Sequence, residues 1–421
     1  MKVLFMYAYY EPEVAASMYL WTNLCEDLAN NGVHVELFTP VPTRGISQEV
    51  RNSYKKLKHE TKCGGNLVIH RVSIPREGKN SVLRALRYIW QNAIYIYKAL
   101  ITKTDLIYLE STPPTQGAMG AIIKKFKKVP VIYDLQDIFP DSLVNTGLTK
   151  KNSLLYRIGL VIENFSYRNM DKIIVISEDF KANIMAKGVP EEKIEIIYNW
   201  VDEDEVVPIE RRDNILIDRY GLDRNKFYVS YSGNIGLTQN VDMLIEVAKE
   251  LENERDICFL IIGDGVYKQE MDRQIREHKL SNIVLLPFQP YEDIAHVFSL
   301  GDVGLVISKA NIGQNSVPSK TWSIMSAARP VLASFDSGSE LSRIIETTGC
   351  GISVEAEDKD ALKKAILRLY ADKESRIEMG RKGREYIHNN LSRKVGSMKK
   401  VNLIESMIRE KGSGLGEKGN L

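Results

Sequence analysis

Two small constellations in this chain could do chemistry: a lysine at a helix start and a pair of glycines after a strand. The first lies in NSVPSKTWSIMSAARPVLASFD, residues 315–336. Val317-Pro318-Ser319-Lys320 reads as a loop. Pro318 suits the first helical turn or the position before it, where a missing N–H costs nothing. Ser319 is a good N-cap, so a helix is predicted from Lys320 to about Ala327. Arg329-Pro330 ends it, because the proline ring cannot continue the ladder, and Val331-Leu332-Ala333 follows as a buried strand. Free backbone N–H groups, a hydroxyl and one lysine together suit an anion. A solvated first-turn lysine is the competing reading of Lys320.

The second constellation is Ser232-Gly233-Asn234-Ile235-Gly236, between a predicted strand and a helix running through Val241–Leu251. Glycines there let backbone N–H groups approach a phosphate, although a plain left-handed turn would use the same residues. Gly263-Asp264-Gly265 and Leu286-Pro287-Phe288 also close strand-like runs. Open α/β sheets bind ligands at such ends. Phe288 suits a nucleobase platform or a core position equally.

The elements that must hold these residues alternate along the whole chain. In the first half, strands are predicted at 2–8, 33–38, 67–72, 105–109, 129–133 and 172–176, with helices such as 17–30 and 117–126 between them. In the second, strands are predicted at 227–232, 258–262, 283–286, 303–307, 331–334 and 351–353. Such alternation means βαβ units and two parallel, doubly wound sheets, as the length of 421 residues also suggests. A polar segment, 202–225, opens on Asp202-Glu203-Asp204-Glu205 and reads as the linker. The domains are therefore expected at 1–201 and 226–385, with a helix near 387–408 and a disordered tail from 412 to 421.

Several classes are excluded. Neither half has G-x-G-x-x-G after its first strand, and G-x-x-x-x-G-K-[ST], G-x-S-x-G and H-E-x-x-H are absent. The four cysteines have no metal or disulfide spacing, which fits a reducing cytoplasm. No apolar run reaches the ~18 residues of a spanning helix.

The net charge of +2 conceals an asymmetry: residues 1–200 carry +6 and the remainder −4. Residues 51–100 hold 11 basic and 2 acidic side chains. Such a block favours phosphates, lipid head groups or nucleic acid, or is simply a solvated face. The predicted helix 81–103 places Arg84, Arg87, Gln91 and Lys98 on one stripe and apolar or aromatic residues almost everywhere else. It is either packed on the N-terminal sheet or set in a membrane interface. Lys124-Lys125-Phe126-Lys127-Lys128 would add attraction to anionic lipid.

Taken in order, YYEPEVAAS (9–17), YDLQDIFPDS (133–142), VISEDF (175–180), IIYNWVD (196–202), SGNIG (232–236), IIGDG (261–265), PFQP (287–290) and SVPSK (316–320) resemble glycosyltransferase family 4. The resemblance covers nearly the whole chain. It implies a GT-B fold, two Rossmann-like domains facing across a cleft, with the C-terminal helix 386–411 returning to the first domain. Within the family, QDIFPDS and SVPSKTWSIMSA look most like bacterial polysaccharide-assembly transferases of the L-fucosamine transferase type.

The resemblance implies a retaining transferase that needs no metal or other cofactor. Its donor would be a nucleotide-diphosphate sugar, UDP-linked, carrying an N-acetylated hexosamine or deoxyhexosamine. Its acceptor would be a lipid-linked saccharide for O-antigen or capsule, reached at the cytoplasmic face of the cell membrane. Gly233, Asn234, Gly236 and Lys320 would face the diphosphate, and Gly263, Asp264 and Phe288 the base. Asn315, Ser316, Val317, Pro318 and Ser319 would meet the donor sugar. Asp137, Gln136, Glu11, Ala15 and Ala16 would lie on the acceptor side, Asp137 and Lys320 being the catalytic candidates. Three departures stand out. Asn315 and Ser323 occupy the places of two family glutamates, the second of which binds ribose. Asn234 and Gln239 replace a basic pair. Gln136-Asp137 stands where the family has a histidine. A sugar-nucleotide 2-epimerase of the same architecture and a non-catalytic nucleotide-binding partner of another transferase are the rival readings. A nucleic-acid partner is not expected, since no RNA-recognition signature is present.

Overall fold

The computed structural model describes residues 1–13, 18–57, 59–78, 80–145, 149–313 and 317–416. They form two compact units, one of residues 1–198 together with the chain from Gly396 onward, the other of residues 199–395.

In the first unit the strands are β1 (Lys2–Met6), β2 (His34–Pro40), β3 (His59–Lys62), β4 (Leu67–Val72), β5 (Leu106–Glu110), β6 (Val131–Leu135), β7 (Lys172–Val175) and β8 (Ile194–Ile196). The helices are α1 (Met18–Asn30), α2 (Gln48–Lys56), α3 (Ser81–Ile101), α4 (Gln116–Lys127), α5 (Asp141–Asn145), α6 (Leu154–Asn169) and α7 (Glu178–Ala186). The sheet order is β3-β4-β2-β1-β5-β6-β7-β8, parallel except for β3. Val3 to Met6 and Ile107 to Leu109 are fully buried, because helices cover both faces of a parallel sheet. That burial is why these strands read as continuous apolar runs. β3 (HETK) and β8 carry no such run and were not expected from sequence. β3 exists because it pairs antiparallel with β4, His59 opposite His70 and Lys62 opposite Leu67.

The second unit has β9 (Phe227–Asn234), β10 (Ile257–Asp264), β11 (Ile283–Leu286), β12 (Val303–Ile307), β13 (Val331–Ser334) and β14 (Gly351–Val354). Its helices are α8 (Ile215–Tyr220), α9 (Val241–Glu250), α10 (Lys268–Glu277), α11 (Ile294–Phe298), α12 (Lys320–Ser326), α13 (Glu340–Thr348), α14 (Lys359–Ala371) and α15 (Lys373–Tyr386). The order β11-β10-β9-β12-β13-β14 is parallel throughout and reverses direction between β9 and β12. β9 pairs with β10 from Phe227 to Asn234, but with β12 only at Val229 and Ser230. The two central strands therefore part toward their carboxyl ends, the place where open sheets form a ligand crevice.

Residues 202–225 are not a free linker. Asp202 and Glu203 are buried, Asp202 pairing with Arg393 at 3.1 Å and Glu203 accepting from the Arg393 N–H at 2.8 Å. Arg211 meets Asp302 at 2.5 Å, and Ser326 donates to the Val206 carbonyl at 2.6 Å. The first half of the acidic run is thus buried against partners far along the chain, while Asp204 and Glu205 stay exposed. The expected helix 387–408 is broken: a π-helical turn, Ile387–Leu391, gives way at the extended Ser392 to α16 (Arg393–Gly416). α16 runs past residue 412, where a tail was expected, and residues 417–421 lie outside the description. In the first unit Lys400 of α16 forms a fully buried ion pair with Asp134 of β6.

Candidate active site

Lys320, the first residue of α12, is not a solvated lysine. Its Nζ lies 3.7 Å from the centre of the Tyr231 ring on β9. It also crowds Gly233: a Cβ there would come within 2.9 Å of it. Among the described residues no carboxylate pairs with this ammonium. Burial pushes the Lys320 pKa down to about 7. An amine half-buried over a ring face, with no carboxylate partner among the described residues, is poised for an anionic ligand.

Backbone packing explains the glycines around it. Gly233 and Gly263 sit side by side in the β9–β10 register, and Asn234 stands beside Asp264. A Cβ on Gly263 would lie 1.9 Å from the Gly233 carbonyl oxygen, so the two strands can touch only without one. The expected glycine turn is therefore the end of a strand, extended to Asn234 and Asp264. The turn proper follows: the Ile235 N–H donates to the Asp264 carbonyl at 2.8 Å, and the Gly236 N–H to Gln239 Oε1 at 3.1 Å. Lys268 Nζ donates to the Gly263 carbonyl at 2.9 Å. Phe288, two residues beyond β11, is 62% exposed, which removes the core reading.

Ser319 stands at the N-cap position of α12 but has helical dihedrals and makes no side-chain cap bond. The turn is closed instead by Thr321 N–H to Pro318 O and Trp322 N–H to Ser319 O. Val317, Pro318 and Ser319 are half-buried beside Lys320. Ser323 is also half-buried, one turn after Lys320 and so on the same helix face. Asn315 and Ser316 lie outside the described residues. Asp336, which sequence reasoning passed over, fixes the incoming loop by accepting from the N–H groups of Asn311 at 2.8 Å and Gly313 at 2.6 Å.

The acceptor-side candidates all belong to the first unit. Asp137 reaches solvent after β6, and the protein packed around its carboxyl raises its pKa, with Ser142 and the Ile138 N–H opposing. It borders a small cavity with Tyr133, Glu163 and Tyr167. Gln136 donates to Asp134 at 2.8 Å, and its N–H bonds Ser111 Oγ at 3.0 Å. Glu11 is engaged by Lys62 of β3 at 2.6 Å, a partner invisible without the antiparallel pairing. Ala15 and Ala16 lie outside the described residues.

Residues 20–205 match the family described as Glycosyltransferase Family 4, and residues 213–386 match Glycosyl transferases group 1. The chain is a glycosyltransferase. It is 29% identical over 303 residues to the probable glycosyltransferase WbjE of Pseudomonas aeruginosa, covering 69% of this chain and 73% of that one. It is 25% identical to the putative colanic acid biosynthesis glycosyl transferase WcaI of Escherichia coli K12, over 87% of this chain and 91% of the relative. Among solved structures, this glycosyltransferase resembles Anabaena Alr3699/HepE in complex with UDP, with a TM-score of 0.73 and 16% identity over 96% of this chain and all (100%) of that one. It also resembles the sucrose-phosphate synthase of Thermosynechococcus elongatus, with a TM-score of 0.75 and 16% identity over 97% and 99% of the two chains. The fold is GT-B. Among the described residues no helix is long and apolar enough to cross a membrane.

Proposed function

We propose that this glycosyltransferase moves an N-acetylated hexosamine or deoxyhexosamine, of the L-fucosamine class, from a UDP-linked donor to a lipid-linked saccharide, with retention of anomeric configuration, in cell-surface polysaccharide assembly. The observation that carries the reading is Lys320, an unpaired ammonium held beside the Gly233 backbone at the parting of β9 and β12. As the sugar leaves, negative charge grows on the departing UDP diphosphate. A preorganised cation in a dry site stabilises that charge more in the transition state than in the ground state. Phe288 offers an exposed ring for the base, and Ser323 a hydroxyl one helical turn from Lys320 for the ribose. Asp137 and Gln136 orient the acceptor from the first unit. UDP in the Alr3699/HepE structure and the polysaccharide name of the WcaI relative support the donor and the pathway class.

A peripheral membrane position on the cytoplasmic face is part of the same reading. α3 supports it by packing inside out. Arg87 and Gln91, the middle two of the four residues of its polar stripe, are buried, Lys98 is half-buried and Arg84 exposed, whereas Leu86, Ile89 and Trp90 are 57%, 60% and 57% exposed. Phe126 on α4 and Leu154, Ile158 and Val161 on α6 are exposed as well. Apolar area on this scale marks an interaction surface. Replacing Lys320 by Ala is the decisive experiment. Transfer should fall about a hundredfold or more, the scale of losing one preorganised charge stabiliser. Wild-type turnover in that variant would sink the donor-site assignment.

A further inference from the structure

A second basic site lies in the first unit, away from Lys320. A cavity of about 380 Å³ opens between α2, β3, the end of β4 and α3. Tyr54, Lys55, His59, His70, Arg71 and Lys98 line it, together with Ser73 and apolar side chains, and among the described residues no carboxylate does. Arg71 is its built element: the side chain is 1% exposed, lies 4.8 Å from the Tyr54 ring centre, and bonds Glu60 through Nε and Nη2 at 2.9 Å. Its Nη1 is buried with no partner. His70 Nε2 is buried 3.4 Å from Glu36, and its ring stacks on Phe38. Glu36 is already held by Lys2 at 2.5 Å, so the two acids behind the cavity are both occupied. Lys55 and Lys98 have no carboxylate partner among the described residues. Burial lowers the His70 pKa, with Glu36 opposing and His59 and Lys98 adding to the lowering.

Arg71, though paired with Glu60, keeps a buried N–H without a partner, and Lys55 and Lys98 add positive charge, so an anion finds here both a free donor and a favourable field. The ends of β2 and β4 are also the ligand-binding edge of such a sheet. Lys98 adds direction. It sits on α3, whose other face presents exposed apolar residues, among them Tyr97 and Ile101. We infer that this cavity binds the phosphate or diphosphate of a membrane-anchored molecule whose hydrocarbon part lies along the outer face of α3. The inference rests on the reading that the acceptor is lipid-linked, and it gives that acceptor a place to hold its charge.

The test reads binding, not turnover. The full chain is titrated with inorganic pyrophosphate, and with vesicles of phosphatidylcholine alone, phosphatidylcholine with phosphatidylglycerol, and phosphatidylcholine with a long-chain prenyl diphosphate at equal charge. Lys55→Ala with Lys98→Ala should weaken pyrophosphate and charged-vesicle binding about tenfold or more, the scale of one or two lost charge-assisted bonds. Binding to neutral vesicles and the melting temperature should not change, and Lys55→Arg with Lys98→Arg should restore the charged-vesicle binding. A loss confined to prenyl diphosphate assigns the site to the acceptor, and an equal loss on both charged vesicles assigns it to lipid head groups. Wild-type binding by the alanine double variant, or no saturable pyrophosphate binding by the wild type, overturns the inference. Donor turnover with a water-soluble acceptor is measured separately, so a failure of the transferase reading shows there and not in these titrations.

Discussion

Lys320 couples protonation to ligand binding. Its folded pKa of about 7 lies below the ordinary 10.5, because burial disfavours the ammonium. Between those values the unfolded chain holds more protons than the folded one, so the stability of the unliganded protein rises with pH across that window. A diphosphate reverses the balance by favouring the charged amine. UDP binding at about pH 8–9 should therefore take up close to one proton. Calorimetry in two buffers of different ionisation enthalpy measures it, and zero uptake would separate Lys320 from the diphosphate. Ser323 makes a milder contribution. If its hydroxyl meets the ribose, Ser323→Ala should raise the donor KM by about three- to tenfold and leave kcat nearly unchanged, as loss of one neutral hydrogen bond predicts. Equal losses in kcat and kcat/KM would place Ser323 elsewhere in the mechanism.

α3 is a helix whose two faces have exchanged their usual roles. Its inward face spends polar groups on the loop after β4 and the start of α4: Arg87 Nε donates to the Pro75 carbonyl at 2.9 Å and Asn92 to Thr115 Oγ1 at 2.8 Å. Tyr95 is buried and donates to the Tyr7 carbonyl at 2.8 Å. The outward face then carries the apolar surplus, which contributes little to folding. Leu86→Ser with Trp90→Ser should accordingly leave fold stability within about 0.5 kcal/mol per site. The same pair should weaken vesicle binding at least about tenfold, since a buried Leu or Trp contributes about 1.5–3 kcal/mol on leaving water. Co-sedimentation and thermal unfolding read the two effects apart. A large drop in melting temperature with unchanged vesicle binding would make this face structural.

At the scale of the molecule, the chain leaves the first unit at Tyr198 and rejoins it at Gly396. Lys400 fixes the returning helix. Its ammonium is fully buried against Asp134, which also accepts from Tyr108 and Gln136, and lies 5.3 Å from the Trp21 ring centre. Removing one partner of a buried pair strands the other charge. Lys400→Ala should cost about 3–5 kcal/mol in urea unfolding of the first unit, and pairing it with Asp134→Leu should recover part of that. An unchanged denaturation midpoint in Lys400→Ala would show that α16 is held by its apolar contacts alone.

The sequence by itself determined the α/β class, both sheets and the residue types of the donor site. β12 and β13, buried at every residue, begin and end where their apolar runs do, since a strand buried on both faces announces itself in composition. Lys320 and the glycines were legible as an anion-site pattern, because local backbone chemistry requires those types there. What tertiary structure decided is each residue's partner and direction. Tyr231 under Lys320, Lys62 on Glu11 and Lys400 against Asp134 join residues that no local pattern connects. Gly233 reads as part of a turn and Gly263 as a strand end, yet both are strand ends, brought into contact by the β9–β10 register. The stripe on α3 was visible, but periodicity fixes only that two faces differ. The inward face is the one whose Arg87 bonds the Pro75 carbonyl in the loop after β4 and whose Asn92 bonds Thr115 at the start of α4, and that packing leaves an apolar surface facing outward.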